Sequence, residues 1–235
     1  MHVDIIIPAY NPGKDLVEAV SSCYNQSYRN FSVIVIDDNS ENNVARLLRE
    51  FPEVKYIRND KNLGPAGARN VGMKASSGEL ISFLDSDDLM HRDKLKLSCE
   101  AFAKHADVGM VCGNYRIISN RKKLLRPFYS RPIKISHAAL MKQNFVASGS
   151  VTVKRDVIKD VGGFDEKLWI AEDYDLWIRI SERYNIKYLH DILYYYSVVD
   201  GGGSLTQRSD IQKDHDKNIK AIRDRSLSRM LGSEG

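Results

Sequence analysis

The chain has 235 residues, of which 43% are hydrophobic and 28% charged, a balance that excludes disordered and fibrous classes. Lys+Arg total 35 against Asp+Glu 31, and a net charge of +4 is too small an excess to point to nucleic acid. Cys23, Cys99 and Cys112 are odd in number, far apart and without a C-x-x-C, which argues against a disulfide framework or a structural zinc and for a reducing, cytoplasmic setting. No apolar run reaches the ~20 residues needed to span a bilayer. The first residues lack the cationic start and cleavage site of a signal peptide.

Residues 3–8 form a continuous aliphatic run and predict a strand buried on both faces. Asn11-Pro12-Gly13 marks a turn, after which Leu16, Val17, Val20, Cys23 and Tyr24 recur at helical spacing. A second aliphatic strand over 31–36 closes on Asp37-Asp38-Asn39-Ser40. A helix over 44–51, a strand over 54–57, a polar loop hinged on Gly64, a helix over 66–75 and a strand over 80–84 follow, then a helix over 92–104 and a strand over 108–112. This alternation predicts an α/β fold with a mostly parallel sheet and helices on both faces. Beyond about residue 115 the pattern becomes mixed. It predicts a hairpin tip at Arg121-Lys122-Lys123, a helix over 136–142 and a strand over 150–153. A sharp loop over 161–165, a helix over 174–184 and two strands over 186–189 and 192–196 complete the region. With no flexible linker at the change, residues 1–115 and 116–206 are expected to pack as one domain, followed by a helical, basic tail over 207–235.

Ligands of open α/β sheets bind beyond the carboxyl ends of the strands, so the polar residues after the apolar runs carry the information. They are Ala9-Tyr10-Asn11, Asp37-Asp38 and Asp85-Ser86-Asp87-Asp88. Carboxylates converging on one edge repel unless a cation or hydrogen-bond donors compensate. Taken alone, Asp85-Ser86-Asp87 reads first as a turn capping the segment before Leu89; the second acidic pair at another strand end favours a hard divalent cation, Mg²⁺ or Mn²⁺. The paired acids Asp37 and Asp38 also fit a receiver domain, but that domain is much shorter and leaves the acids near residue 85 unexplained. Asn62 to Asn70 leads into a helix whose free N–H groups suit a diphosphate, with Arg69 as a planar donor fork; a plain capped helix with a solvent-facing Arg fits as well. Glu172-Asp173-Tyr174-Asp175 reads either as a helix start favoured by the dipole or as the source of a general base. Trp169 and Trp177 suit a sugar platform or the core.

Taken in order, these segments resemble the inverting glycosyltransferases of family 2, of the GT-A nucleotide-sugar fold. The resemblance rests on Ile5-Ile6-Ile7-Pro8-Ala9-Tyr10-Asn11, Val35-Ile36-Asp37-Asp38-Asn39-Ser40, the Asn62 to Gly72 stretch and Gly78 to Asp88. In the second half it rests on Val161-Gly162-Gly163-Phe164-Asp165-Glu166 and Glu172-Asp173-Tyr174-Asp175-Leu176-Trp177. It implies a nucleotide-sugar donor, UDP- or dTDP-linked, a glycan or lipid-linked acceptor, and a divalent metal. Pro8, Ala9 and Tyr10 then border the base, with Tyr10 stacking on it, and Asp38 accepts from its ring N–H. Arg69 lies near base or diphosphate, Asp85 contacts ribose or metal, Asp87 ligates the metal and Asp88 is an alternative ligand. Asp173 is the implied catalytic base, with Glu172 and Trp169 on the acceptor side. The sequence departs from the family at Tyr195-Tyr196-Ser197-Val198, where relatives carry a Tyr-Arg-x-His stretch, although Ser204-Leu205-Thr206 remains; Asp200 or a Gly201–Gly203 lid is the expected substitute. A non-catalytic nucleotide-sugar binder and a sugar nucleotidyltransferase are the rival classes; the second expects a basic Gly-rich loop after the first strand, which Ala9 to Lys14 does not provide. In the tail, Ile211, Ile219 and Ile222 share a stripe flanked by Lys and Arg, which fits packing on the domain or on a partner in preference to a peripheral membrane contact.

Overall fold

The computed structural model describes residues 1–119, 124–128, 135–198 and 209–232. In chain order, the first half holds β1 (Val3–Ala9), α1 (Asp15–Tyr24), β2 (Phe31–Asp37), α2 (Val44–Leu47), β3 (Lys55–Arg58), α3 (Gly64–Ala75), β4 (Leu80–Phe83), β5 (Leu89–Met90) and α4 (Lys94–Lys104). There follow β6 (Val108–Ser119), β7 (Leu124–Phe128), α5 (His137–Lys142), a 3-10 turn at Ser148–Ser150 and β8 (Thr152–Lys154). The chain continues through α6 (Arg155–Val161), α7 (Glu172–Arg183), β9 (Asn185–Val198) and α8 (Ser209–Gly232).

The nine strands of the described residues share one sheet, in the order β3-β2-β1-β4-β8-β6-β9-β5, with β7 paired to β6. The strands β3, β2, β1 and β4 run parallel, and β8 lies antiparallel to both β4 and β6. The sheet therefore crosses the boundary near residue 115 without a break. Alternation along β1 explains the two layers beneath it. Ile5 and Ile7 pack with Leu16, Val20 and Leu95 on the α1 and α4 side, whereas Ile6 packs with Phe83, Tyr174 and Trp177 on the α3 and α7 side. At Gly72, an added Cβ would lie 2.5 Å from Ile6, so only glycine lets α3 approach β1 this closely.

Differences from the sequence expectations are local. The expected helix over 44–51 is a single turn, α2, capped by the Asn43 side chain accepting from Arg46 N–H. Phe51 precedes Pro52, which disfavours helical backbone there. The two strands expected after α7 are one strand, β9, whose exposed His190 and Asp191 sit at a register shift against β6. Such a polar interruption looks like a turn in sequence and is a bulge in the sheet. Helix α6 and the two-residue β5 have no signal long enough to read.

Helix α8 docks on α7 through its basic residues. Arg229 forms two bonds to Glu182, Arg225 binds Asp165 and Asp175, and Arg223 donates to Tyr174 Oη, around the fully buried Ile222. Arg225 and Arg229 are thus ion-paired with the domain. No helix among the described residues is long and apolar enough to cross a membrane. Arg121-Lys122-Lys123, Asp200, Gly201–Gly203 and Ser204-Leu205-Thr206 lie outside the described residues, as does the side chain of Ile211.

Candidate active site

The parallel strands deliver their carboxyl ends to one edge. Asp38 N–H bonds the carbonyl of Ala9 at 2.8 Å, placing the ends of β1 and β2 side by side. Pro8 and Ala9 are largely covered, while Tyr10, one residue beyond, is 52% exposed. The paired acids then separate in role. Asp37 is fully buried and accepts from Ser40 N–H (2.8 Å), Tyr56 Oη (2.6 Å) and Arg58 Nη1 (2.6 Å). Burial opposes its charge, but these donors outweigh burial and hold its carboxyl below the usual range. Asp38 uses Oδ1 to accept from Asn59 Nδ2 (2.8 Å) and the N–H of Leu63 (2.9 Å), which fixes the loop leading into α3.

Arg69 of α3 is buried, not facing solvent as one reading of the sequence allowed. Its Nη2 donates to Asp85 Oδ1 at 2.7 Å and its Nη1 to Glu172 Oε1 at 2.8 Å, with the guanidinium 5.5 Å from the Phe164 ring centre. Burial works against its charge, and Asp85 and Glu172 reverse that and raise its pKa. Arg69 therefore joins the acidic loop after β4 to the N-terminus of α7.

Glu172 and Asp173 open α7, behind Ala171 in the left-handed region at φ 65°. Burial pushes the Glu172 carboxyl up to about 7, with Arg69 pulling it down and Asp173 pushing it further up. Asp173 is half-buried; its Oδ2 accepts from Ser148 Oγ at 3.0 Å and its Oδ1 from the Tyr174 N–H at 2.6 Å. Burial raises Asp173 as well, against the lowering influence of Arg69 and these two bonds. The two neighbouring carboxylates are thus poised to hold a proton that an ordinary surface acid would lose.

The acidic loop divides similarly. Asp85 is partly exposed and held by Arg69, Asp87 is exposed, and Asp88 is buried with Oδ1 accepting from Ser197 N–H of β9 at 2.7 Å. Asp88 therefore ties the loop to the sheet. Among the described residues, no group of three or more His, Cys, Asp or Glu could hold a metal by itself. Asp85 and Asp87 nevertheless suit Mg²⁺ or Mn²⁺, which are commonly held by one or two carboxylates with the remaining positions filled by phosphate and water.

Trp169, 64% exposed, reaches from the second half across to α3: a Cβ placed on Gly64 would lie 3.2–3.4 Å from its ring. Gly64 has φ +71°, so this first residue of α3 is glycine on two counts. Two residues at this edge escape sequence reading. Ser148 lies in a short Ser-Gly-Ser turn. Lys94 opens an ordinary amphipathic helix, yet is fully buried with Nζ donating to the carbonyls of Phe83 (3.0 Å) and Gly149 (2.8 Å). The signal for Lys94 is a lysine on the apolar face, level with Leu95 and Ser98.

Separated carboxylates, the N-terminus of α7 and a raised acid pair thus share one edge of the sheet. Residues 4–162 match the family described as Glycosyl transferase family 2, and the chain belongs to it. It is 33% identical over 186 residues to the UDP-Glc:alpha-D-GlcNAc-diphosphoundecaprenol beta-1,3-glucosyltransferase WfgD of Escherichia coli, covering 78% of this chain and 71% of that one. It is 30% identical over 236 residues to chondroitin synthase of Escherichia coli, covering 97% of this chain but 33% of that one. Among solved structures, a fragment of S. aureus TarS in complex with UDP-GlcNAc superposes with a TM-score of 0.77 at 21% identity, over 98% of this chain and 72% of that one. Mannosyltransferase PcManGT from Pyrobaculum calidifontis, in complex with GDP-Man and Mn²⁺, superposes at 0.66 with 21% identity, over 83% and 56%. These superpositions establish the GT-A fold.

Proposed function

We propose that this glycosyltransferase moves a sugar from a UDP- or dTDP-linked donor to a hydroxyl of a glycan or lipid-linked acceptor, with inversion and with Asp173 as the base. The observation that carries the reading is the bridge Asp85–Arg69–Glu172, which holds the donor-side acid loop against the helix end bearing Asp173. The names of WfgD and of the TarS complex, both with a UDP-sugar, support the donor class.

In this reading residues 1–115 hold the donor and 116–206 the acceptor. Tyr10 stacks on the base, with Pro8 and Ala9 beside it, and Asp38 accepts from the ring N–H through its second oxygen. Asp87, with Asp85 beside it, would hold a divalent metal, and a metal there would supply positive charge opposite the diphosphate. Arg69 serves as the buried brace of the site and contributes its charge at a distance. The acceptor oxygen attacks the anomeric carbon from the side opposite the diphosphate. The bond from that carbon to the phosphate oxygen breaks, its electron pair leaves with the nucleotide, and the acceptor's proton passes to Asp173. Direct displacement inverts the anomeric centre. Trp169 offers a flat apolar face to the acceptor. The free, buried cysteines fit action in the cytoplasm.

A thermal-shift screen of UDP-, dTDP- and GDP-sugars with and without Mn²⁺ tests the donor assignment, since a ligand that binds the native state raises the melting temperature. One nucleotide class stabilising in a metal-dependent way is expected. No stabilisation by either UDP- or dTDP-sugars overturns it.

A further inference from the structure

Lys94 occupies a position for which packing alone gives no reason. A lysine is almost never fully buried without a partner of opposite charge. Here the two hydrogen-bond partners of Nζ are neutral carbonyls, one from each side of the site. Phe83 is the last residue of β4, two residues before Asp85. Gly149 is the centre of the 3-10 turn whose first residue, Ser148, donates to Asp173. The turn has little room of its own: a Cβ on Gly149 would come within 2.6 Å of the Tyr194 ring. Pressed against Tyr194 on one side and drawn to Lys94 on the other, the turn holds Ser148 Oγ 3.0 Å from Asp173 Oδ2. Burial lowers the Lys94 ammonium to about 7, with Cys23 and Asp85 acting in the opposite sense. Evolutionarily simpler apolar side chains would avoid that cost but would leave both carbonyls without a donor.

We propose that Lys94 and Ser148 are positioning residues for the transfer step: Lys94 fixes the Ser148–Ser150 turn to the end of β4, and Ser148 thereby orients the Asp173 carboxylate through its hydrogen bond to Oδ2. This rests on Asp173 being the base. Neither residue touches the donor in this scheme, so their effect belongs on the rate and its pH dependence and not on donor affinity. The groups that act on Asp173 from the packed elements are Arg69 of α3, Asp85 of the acid loop, Glu172 of α7 and Ser148.

The test uses UDP-glucose and UDP-N-acetylglucosamine with Mn²⁺ and water as acceptor, reading UDP release across pH in the full chain. Ser148→Ala and Lys94→Met are each expected to leave donor affinity unchanged and to move the acid limb of the rate upward by about one pH unit, the size of one hydrogen bond to a carboxylate. The double variant is expected to move it no further, because both lesions remove the same bond. Ser148→Thr, which keeps the hydroxyl, is expected to restore the limb. If Lys94→Met does not fold, Lys94→Gln, which keeps one amide donor, takes its place in the cycle. Additive displacements overturn the proposal, since loss of the lysine charge acting through space adds to loss of the Ser148 bond. An unmoved limb in Ser148→Ala or in the Lys94 variant also overturns it. Asp173→Asn separates the two readings: if it releases UDP at the wild-type rate the base assignment fails, whereas if it is inactive and the limbs do not move only the positioning proposal fails.

Discussion

Arg69 Nη1 lies 2.8 Å from Glu172 Oε1 across 103 residues of sequence, in a buried pair that the second guanidinium nitrogen extends to Asp85. One planar side chain therefore spans the two halves of the sheet edge. Replacing it by methionine leaves Glu172 buried without its cation, so that the carboxyl must take up a proton or stay uncompensated. Removing one partner of a buried pair costs about 3–5 kcal/mol, and the low end applies because Asp85 is 37% exposed. Chemical denaturation of Arg69→Met is expected to show that loss. Arg69→Lys is expected to recover only part of it, since an ammonium cannot present two parallel donors to two separated carboxylates.

The rate of transfer is expected to rise with pH as the acid pair gives up its proton. Burial raises both Glu172 and Asp173, so the base is protonated at pH values where a surface aspartate is already ionised. The acid limb of the pH–rate profile should accordingly lie above that of an ordinary surface aspartate. Asp173→Asn should bind donor normally and lose about 10²–10⁴ in rate. A wild-type rate in Asp173→Asn would remove it from the base role.

Stability should carry the opposite dependence. Glu172 titrates near 4.5 when unfolded and is raised to about 7 in the fold, so the native state holds more protons than the unfolded chain between those values. Its contribution is present in full below 4.5 and is lost as pH rises through about 7. Glu172→Gln cannot ionise, and its unfolding free energy should lack that decline. Urea titrations at pH 5 and pH 8 compare the two.

Tyr10→Ala probes donor binding without disturbing the core, because the ring is 52% exposed. A change in stability within about 0.5 kcal/mol is expected, together with about 1–3 kcal/mol of lost donor affinity if the ring stacks on the base. Calorimetric titration with UDP measures the second quantity.

Asp87→Ala should leave the fold intact, since the side chain is exposed, and should abolish the Mn²⁺-dependent part of donor stabilisation. Asp88→Ala should instead lower the melting temperature, because it strips the acceptor from the N–H of Ser197. Equal metal dependence in Asp87→Ala and wild type would move the metal elsewhere.

The continuous aliphatic runs at 3–8, 31–36 and 80–84 are enough, with helical spacing between them, to specify a parallel sheet and therefore an edge at which Tyr10, Asp38 and Asp85 gather. That much follows from periodicity and from the rule that strand ends in one direction share one side. The order and spacing of the acid motifs likewise sufficed for the family. What each acid does was not legible. Asp37 and Asp38 are adjacent and chemically identical, yet one is enclosed by Tyr56, Arg58 and Ser40 while the other keeps an oxygen for use. Asp87 and Asp88 divide in the same way, by which of them meets the backbone of β9. Arg69 gave equal support to a solvent-facing and a ligand-facing role; it is buried, and it is bonded to a residue 103 positions away. Lys94 and Ser148 carried no motif at all. The local pattern specifies which way each side chain leaves the backbone, but its charge state and role depend on partners from distant segments and on the water those partners exclude, and only the packed tertiary structure sets both.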